Sequence, residues 1–270
     1  MPYTSAWRRA ESSKKIDYAV GQPSKELLKN SLTLVESAFK NLCNEVALGK
    51  YDYRYILQYG DNAGNQDFLE ELAKFLSFEY SLRVSPEHLF VTNGSSSGLE
   101  LCCNILLGSN KLVFVEDPTY FLAMNTFKDH NATLVKVDTD ENGLMIDNLI
   151  LKITKYGKPA FLYVIPTFSN PTGATLSDSR RRELLAICSK NDIIIVSDDV
   201  YQLLWFEEKP PLPLVLYSNR HVVSLGSFSK ILAPGLRLGW IQSHPSIIKK
   251  LCERGFIQSQ GKSFFIIKVV

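Results

Sequence analysis

Helical and extended patterns alternate along the chain. Leu28, Leu32, Val35, Phe39 and Leu42 fall on one helical face, which predicts an amphipathic helix over 24–48 with Gly49 as its stop. A second helix is predicted over 66–80, with Leu69, Leu72, Phe75 and Leu76 facing inward. The apolar run 89–92 then meets Asn93-Gly94-Ser95-Ser96-Ser97, and a helical pattern follows through Leu99, Cys102, Cys103 and Leu106. Further strands are predicted over 112–115, 133–137, 160–165, 193–196, 222–225 and 236–241, with helices over 120–127, 146–156 and 177–190. Most of these strands are apolar throughout instead of alternating, so both of their faces are buried. The pattern predicts an α/β fold: a three-layer α/β/α arrangement around a mostly parallel sheet.

Composition narrows the class. The 270 residues are 45% apolar, enough for a sizeable core. Thirty basic residues oppose 28 acidic ones, a net charge of +2, so binding nucleic acid through bulk charge is not expected. No run approaches the roughly 20 apolar residues of a membrane span. The five cysteines show no C-x-x-C spacing and sit among apolar neighbours, which predicts reduced, buried side chains. The four histidines show no ligand spacing, and no metal site is expected. Without an apolar signal core, a cytoplasmic protein is expected. Arg8, Arg9, Lys14 and Lys15 leave a mitochondrial import segment as the alternative to a solvated terminus.

In open parallel sheets, ligands bind beyond the carboxyl ends of the strands. Four predicted strand ends are rich in polar groups: Gly94-Ser95-Ser96, Ser169-Asn170-Pro171-Thr172-Gly173, Asp198-Asp199-Val200-Tyr201 and Gly226-Ser227-Phe228-Ser229-Lys230. The first, at a helix start, offers free N–H groups and hydroxyls to a phosphate, or is a simple serine cap. It is neither a P-loop nor a G-x-G-x-x-G fingerprint. Lys230 in a crevice would lose solvation, and its neutral amine could attack a carbonyl; a surface loop lysine is the plainer alternative. Arg237, between leucines in a predicted strand, needs an anion if buried. Asp198 needs a cation or several donors at a buried strand end, or it caps a turn. Tyr201 could reach the same crevice. Asn170 precedes proline, which marks either an aimed amide or an ordinary turn. Tyr120 could stack on a flat ligand or pack in the core.

In this order, Ser169-Asn170-Pro171-Thr172-Gly173, Asp198-x-x-Tyr201, Ser227-x-Ser229-Lys230 and Arg237 resemble pyridoxal-phosphate enzymes of the aspartate-aminotransferase-like group. The resemblance runs from about residue 21 to about 260, and is strongest to the branch of 2-aminoadipate and kynurenine aminotransferases. It implies that Lys230 carries pyridoxal 5'-phosphate and shuttles a proton, and that Asp198 pairs with the pyridine nitrogen. Asn170 and Tyr201 would hold the ring oxygen, and Tyr120 would stack on the ring. Ser95, Ser96, Ser227, Ser229 and Arg237 would hold the phosphate. Tyr59 resembles the tyrosine that reaches the neighbouring subunit's phosphate, which implies a homodimer. Gly21-Gln22-Pro23 resembles the segment lining the substrate pocket, so Gly21 and Asn170 would meet the substrate.

The implied activity is transfer of an amino group from an amino acid to a 2-oxo acid. Alternatives are an inactive fragment that binds cofactor at most, and a lyase or decarboxylase using the same cofactor. A DNA-binding regulator is not expected, because no winged-helix segment precedes the domain. Three segments are expected: 1–48 as N-terminal segment and helix, 49–260 as the cofactor-binding large domain, and 261–270 as an atypical tail. The C-terminal small domain, which in the family carries the arginine gripping the α-carboxylate, is expected to be absent through a shifted reading frame or an alternative transcript end.

Overall fold

The computed structural model describes residues 21–52, 54 and 57–259. The basic stretch around Arg8 and Lys15 and the tail 261–270 lie outside the described residues. Helix α1 (Lys25–Ala47) starts where the Ser24 hydroxyl accepts the Leu27 N–H at 3.1 Å, and α2 (Gln66–Tyr80) starts at the Asn65 side chain in the same way. Strand β1 (Leu89–Thr92) leads into α3 (Ser95–Leu106), and β2 (Leu112–Asp117) into α4 (Phe121–Asp129). Then come β3 (Thr133–Asp140), β4 (Gly143–Leu144), α5 (Ile146–Tyr156), β5 (Phe161–Val164), α6 (Asp178–Lys190) and β6 (Ile194–Asp198). The short α7 (Leu214–Tyr217), β7 (Val222–Ser227), β8 (Gly239–Ser243) and α8 (Pro245–Ser259) complete the described chain.

The strands form one sheet in the order β1-β8-β7-β6-β5-β2-β3-β4. The block β7-β6-β5-β2-β3 is parallel throughout. Strand β8 is antiparallel to both of its neighbours, so β1 again points the same way as β7. Alternation along β5 sorts the core into two layers. Phe161 and Tyr163 pack with Leu99, Cys102, Phe127 and Leu251 of the surrounding helices, whereas Leu162 and Val164 pack on the other face with Leu149, Leu184 and Cys188. The arrangement is therefore three-layer α/β/α. Fully burying a leucine, valine or phenylalanine in these layers contributes roughly 1.5–3 kcal/mol relative to exposure. No helix among the described residues is long and apolar enough to cross a membrane.

Three expectations need correction. The apolar stripe of α1 is not wholly inward: Leu42 is buried, but Leu32 is 65% exposed and Leu28 and Phe39 are also exposed. The helix turns Ser31 inward instead, where its hydroxyl donates to Leu232 O at 2.8 Å. Periodicity marks an apolar face without saying what covers it. Arg237 does not lie in a strand. Pro234 begins a 3₁₀ turn, Pro234–Leu236, after which Arg237 takes a left-handed φ of 50° and the strand begins only at Gly239. Cys102, Cys103 and Cys188 are buried, but Cys43 is exposed on α1, and no disulfide joins any of them.

Candidate active site

The carboxyl ends of β1, β2, β5, β6 and β7 all open on one edge of the sheet. Connections leave β2 toward β3 and β5 toward β6 in opposite directions, so a crevice forms at that switch point. A cleft of about 250 Å³ lies there, and Ser95, Ser96, Tyr120, Asn170, Asp198, Tyr201, Ser227, Ser229, Lys230 and Arg237 all line it. Ten predicted residues from six separate stretches of sequence thus meet in one place.

Asp198 forms the floor of the cleft. Its Oδ2 accepts the Tyr163 hydroxyl at 2.7 Å, while its buried Oδ1 has no hydrogen-bond partner among the described residues. Two other buried side-chain oxygens among the described residues, on Thr92 and Thr119, are also partnerless, but neither lines the cleft. Burial pushes the Asp198 carboxyl up to about 6; the Tyr163 hydrogen bond pulls it down and the Asp199 charge pushes it up. Lys230 is half-buried beside it, and loss of solvation lowers its amine below the ordinary lysine value, against the pull of Asp198. Its Nζ donates to Gly21 O at 2.7 Å, which brings the predicted N-terminal segment to the cleft.

The opposite corner suits an anion. Gly94, not a serine, is the N-cap of α3, and no side chain caps the helix, so the simple-cap reading does not hold. The positive end of the helix is left open toward the cleft. Gly94 has a φ of 82°, and a Cβ there would lie 2.6 Å from Arg237 Nη2. Among the described residues, Arg237 donates only to the backbone oxygens of Asn93 and Pro234, each at 3.3 Å. No carboxylate pairs with it among the described residues. The Ser227 hydroxyl accepts the Ser229 N–H at 3.0 Å and meets the Ser229 hydroxyl at 2.9 Å, folding this loop toward the same corner.

On the third side, Asn170 Nδ2 reaches Tyr201 Oη in a long 3.4 Å contact. Two loops carry this pair, and Arg181 ties them together. Its guanidinium donates to Leu176 O, Pro166 O, Leu212 O and the Thr167 hydroxyl, and Thr167 in turn donates to Gln202 Oε1 at 2.6 Å. The sequence reading missed Arg181, Tyr163 and Glu116. Arg181 is one of three consecutive arginines on a predicted helix, and an amphipathic helix must turn one of three inward. Tyr163 stands inside an apolar run, and its hydroxyl tip is the only hint that it needs a partner. Glu116, at the end of β2, accepts the Ile165 N–H at 2.8 Å, and burial pushes its carboxyl up to about 8. Tyr59 is exposed and does not line this cleft.

A family profile described as "Aminotransferase class I and II" matches residues 13–255. An aromatic-amino-acid aminotransferase of Thermococcus litoralis is 36% identical over 72% of this chain and 48% of its own length. An uncharacterized HTH-type transcriptional regulator of Bacillus subtilis, YisV, is 33% identical over 77% of this chain and 43% of its own. The crystal structure of a Pyrococcus horikoshii kynurenine aminotransferase with PMP superposes with a TM-score of 0.83 at 30% identity, covering 97% of this chain and 64% of that one. The chain belongs to the class I and II aminotransferases. It spans about half the length of these curated relatives.

That family implies pyridoxal phosphate, and the residues present fit it. The partnerless Oδ1 of Asp198 suits a protonated ring nitrogen. The uncapped helix and Arg237, with only carbonyl partners, suit a phosphate. The amine of Lys230 shares their cleft.

Proposed function

We propose that this chain binds pyridoxal 5'-phosphate and takes part in transferring an amino group from an amino acid to a 2-oxo acid. The observation that carries this reading is the buried, partnerless Asp198 oxygen in the same cleft as Lys230 and the open end of α3. When bound, the cofactor supplies an electron sink for the substrate's α-carbon. Lys230 holds it covalently and later moves a proton at that carbon through Nζ. Asp198 keeps the ring nitrogen protonated. Asn170 and Tyr201 orient the ring oxygen, and Tyr120 covers the ring face. Ser95, Ser96, Ser227, Ser229 and Arg237 hold the phosphate through N–H, hydroxyl and guanidinium donors. Gly21 borders the substrate side, and a second copy of the chain brings Tyr59 to the phosphate. Relatives named for aromatic amino acids and for kynurenine support an amino acid with a large side chain.

A second reading is a cofactor-binding module that does not transfer amino groups. The regulator among the relatives favours it. The test is to load the purified chain with pyridoxal phosphate, reduce it with borohydride and map the labelled peptide. A label on Lys230, lost in Lys230→Ala, supports cofactor binding; a folded chain without label rejects it. Amino-acid consumption that requires an added 2-oxo acid separates the transferase from both the module and a lyase.

A further inference from the structure

Tyr163 and Asp198 stand on adjacent parallel strands, in the β5–β6 ladder that pairs Tyr163 with Val196. The Tyr163 side chain is fully buried, and Phe127 packs edge-on against its ring at 5.3 Å. The ring is therefore held on both sides by core and strand, and its hydroxyl has a fixed address: Asp198 Oδ2, at 2.7 Å. The two oxygens of Asp198 divide their tasks. One is tied to the protein and the other is left for the cleft. A carboxylate held by a single bond through Cβ would otherwise rotate, and its buried charge would have fewer donors.

We propose that Tyr163 is a positioning residue for Asp198: its hydroxyl sets the carboxylate so that Oδ1 faces the cofactor's ring nitrogen, and it favours the ionised form. This inference rests on the pyridoxal-phosphate reading above. Several groups face Asp198. Tyr163 comes from β5, Glu116 from β2, Asp199 from the next position, Lys230 from the loop after β7, and Tyr120 and Tyr201 from the cleft walls. Asp199 opposes ionisation, and Lys230 and the Val200 N–H favour it. Glu116, pushed up to about 8, is still protonated where Asp198 titrates, so it adds no charge there. The Tyr163 hydroxyl is the largest of the influences that favour the carboxylate.

The test uses Tyr163→Phe, which removes only the hydroxyl, with circular dichroism to check the fold. In the unloaded chain, carbon-13 NMR follows the Asp198 carboxyl, assigned with Asp198→Asn. Its midpoint is expected to rise in Tyr163→Phe and to fall when Tyr163 is replaced by 3-fluorotyrosine, a stronger donor. Pyridoxal-phosphate binding is then measured against pH in a Lys230→Ala background, where no covalent capture occurs. Tyr163→Phe is expected to weaken it about tenfold and to shift its acid limb to higher pH. An unmoved Asp198 midpoint, or an equal loss of affinity at every pH, would mean that Tyr163 only packs and overturns the proposal. If the chain with Lys230 and Tyr163 both intact takes up no pyridoxal phosphate, the cofactor reading itself falls and this role falls with it.

Discussion

Asp198 and Asp199 are neighbours at the end of β6, both buried, and both have carboxyls raised chiefly by burial. They meet different company. Asp199 Oδ1 accepts the Ser197 hydroxyl at 2.9 Å, its Oδ2 accepts the Ser224 hydroxyl at 2.5 Å, and the Arg181 charge faces it. It borders a void of about 10 Å³ with Tyr80 and Trp240. Asp198 borders the open cleft with half of its carboxylate unused. Burial alone therefore does not mark a binding residue. What marks it is hydrogen-bonding capacity that the fold leaves unspent, at the edge where a ligand can reach it.

The largest expected effect separates the two aspartates outright. The folded Asp198 carboxyl, at about 6, holds its proton to higher pH than its ordinary value of 3.8. Its contribution to stability is thus fully present below about pH 4 and is lost as pH rises through about 6. In the unloaded chain at pH 7, Asp198→Asn is expected to raise stability by roughly 3 kcal/mol, with the pH dependence between 4 and 6 flattened. The same substitution is expected to weaken pyridoxal-phosphate binding about a hundredfold. Urea unfolding across pH, paired with cofactor titration, reads both; a destabilised Asp198→Asn chain would show that its carboxylate is structural like its neighbour's.

Asp199→Ala should move stability the other way. It strands two buried hydroxyls and the Arg181 charge, and a loss of about 2–3 kcal/mol is expected at pH 7. A neutral result in urea melts would dissolve the contrast. A smaller effect is expected for Gly94→Ala, because the added methyl meets Arg237 and the φ of 82° is strained for alanine. Stability should fall by about 1 kcal/mol, and inorganic phosphate or pyridoxal phosphate should bind more weakly. Unchanged anion affinity would remove Gly94 and Arg237 from the phosphate corner. The smallest effect belongs to the exposed face of α1. Leu32→Ser is expected to change monomer stability by under about 0.5 kcal/mol. A larger loss, together with a change in sedimentation from dimer to monomer, would show that a second copy covers this face.

The strands were legible because β-rich apolar runs such as Phe161-Leu162-Tyr163-Val164 have no other stable use between two helical layers. The cleft residues were legible as polar clusters directly after those runs. Asp198 and Asp199 could not be told apart in the same way, since adjacent carboxylates at a strand end look alike until the ladder shows which one meets Ser224 on β7. Tyr163 reads as core, and its role lies in an oxygen 35 positions away in sequence. Arg181 reads as one charge among three on a helix. Arg237 reads as a candidate anion ligand in a strand, whereas the 3₁₀ turn begun by Pro234 takes it out of the strand, a local backbone choice that apolar spacing does not register.

The sequence by itself determined the alternation of helices and apolar strands, and with it the three layers. It also determined which strand ends carry ionisable groups, because burial periodicity and turn chemistry are local properties of the chain. Only the tertiary structure decided how the polar capacity of those groups is divided. Strand order brings the β1, β5, β6 and β7 ends to one edge, and register hands Asp199 two hydroxyls and Asp198 one. A hydrogen bond depends on distances of a few tenths of an ångström between segments far apart in the chain, and only the packed fold sets those distances.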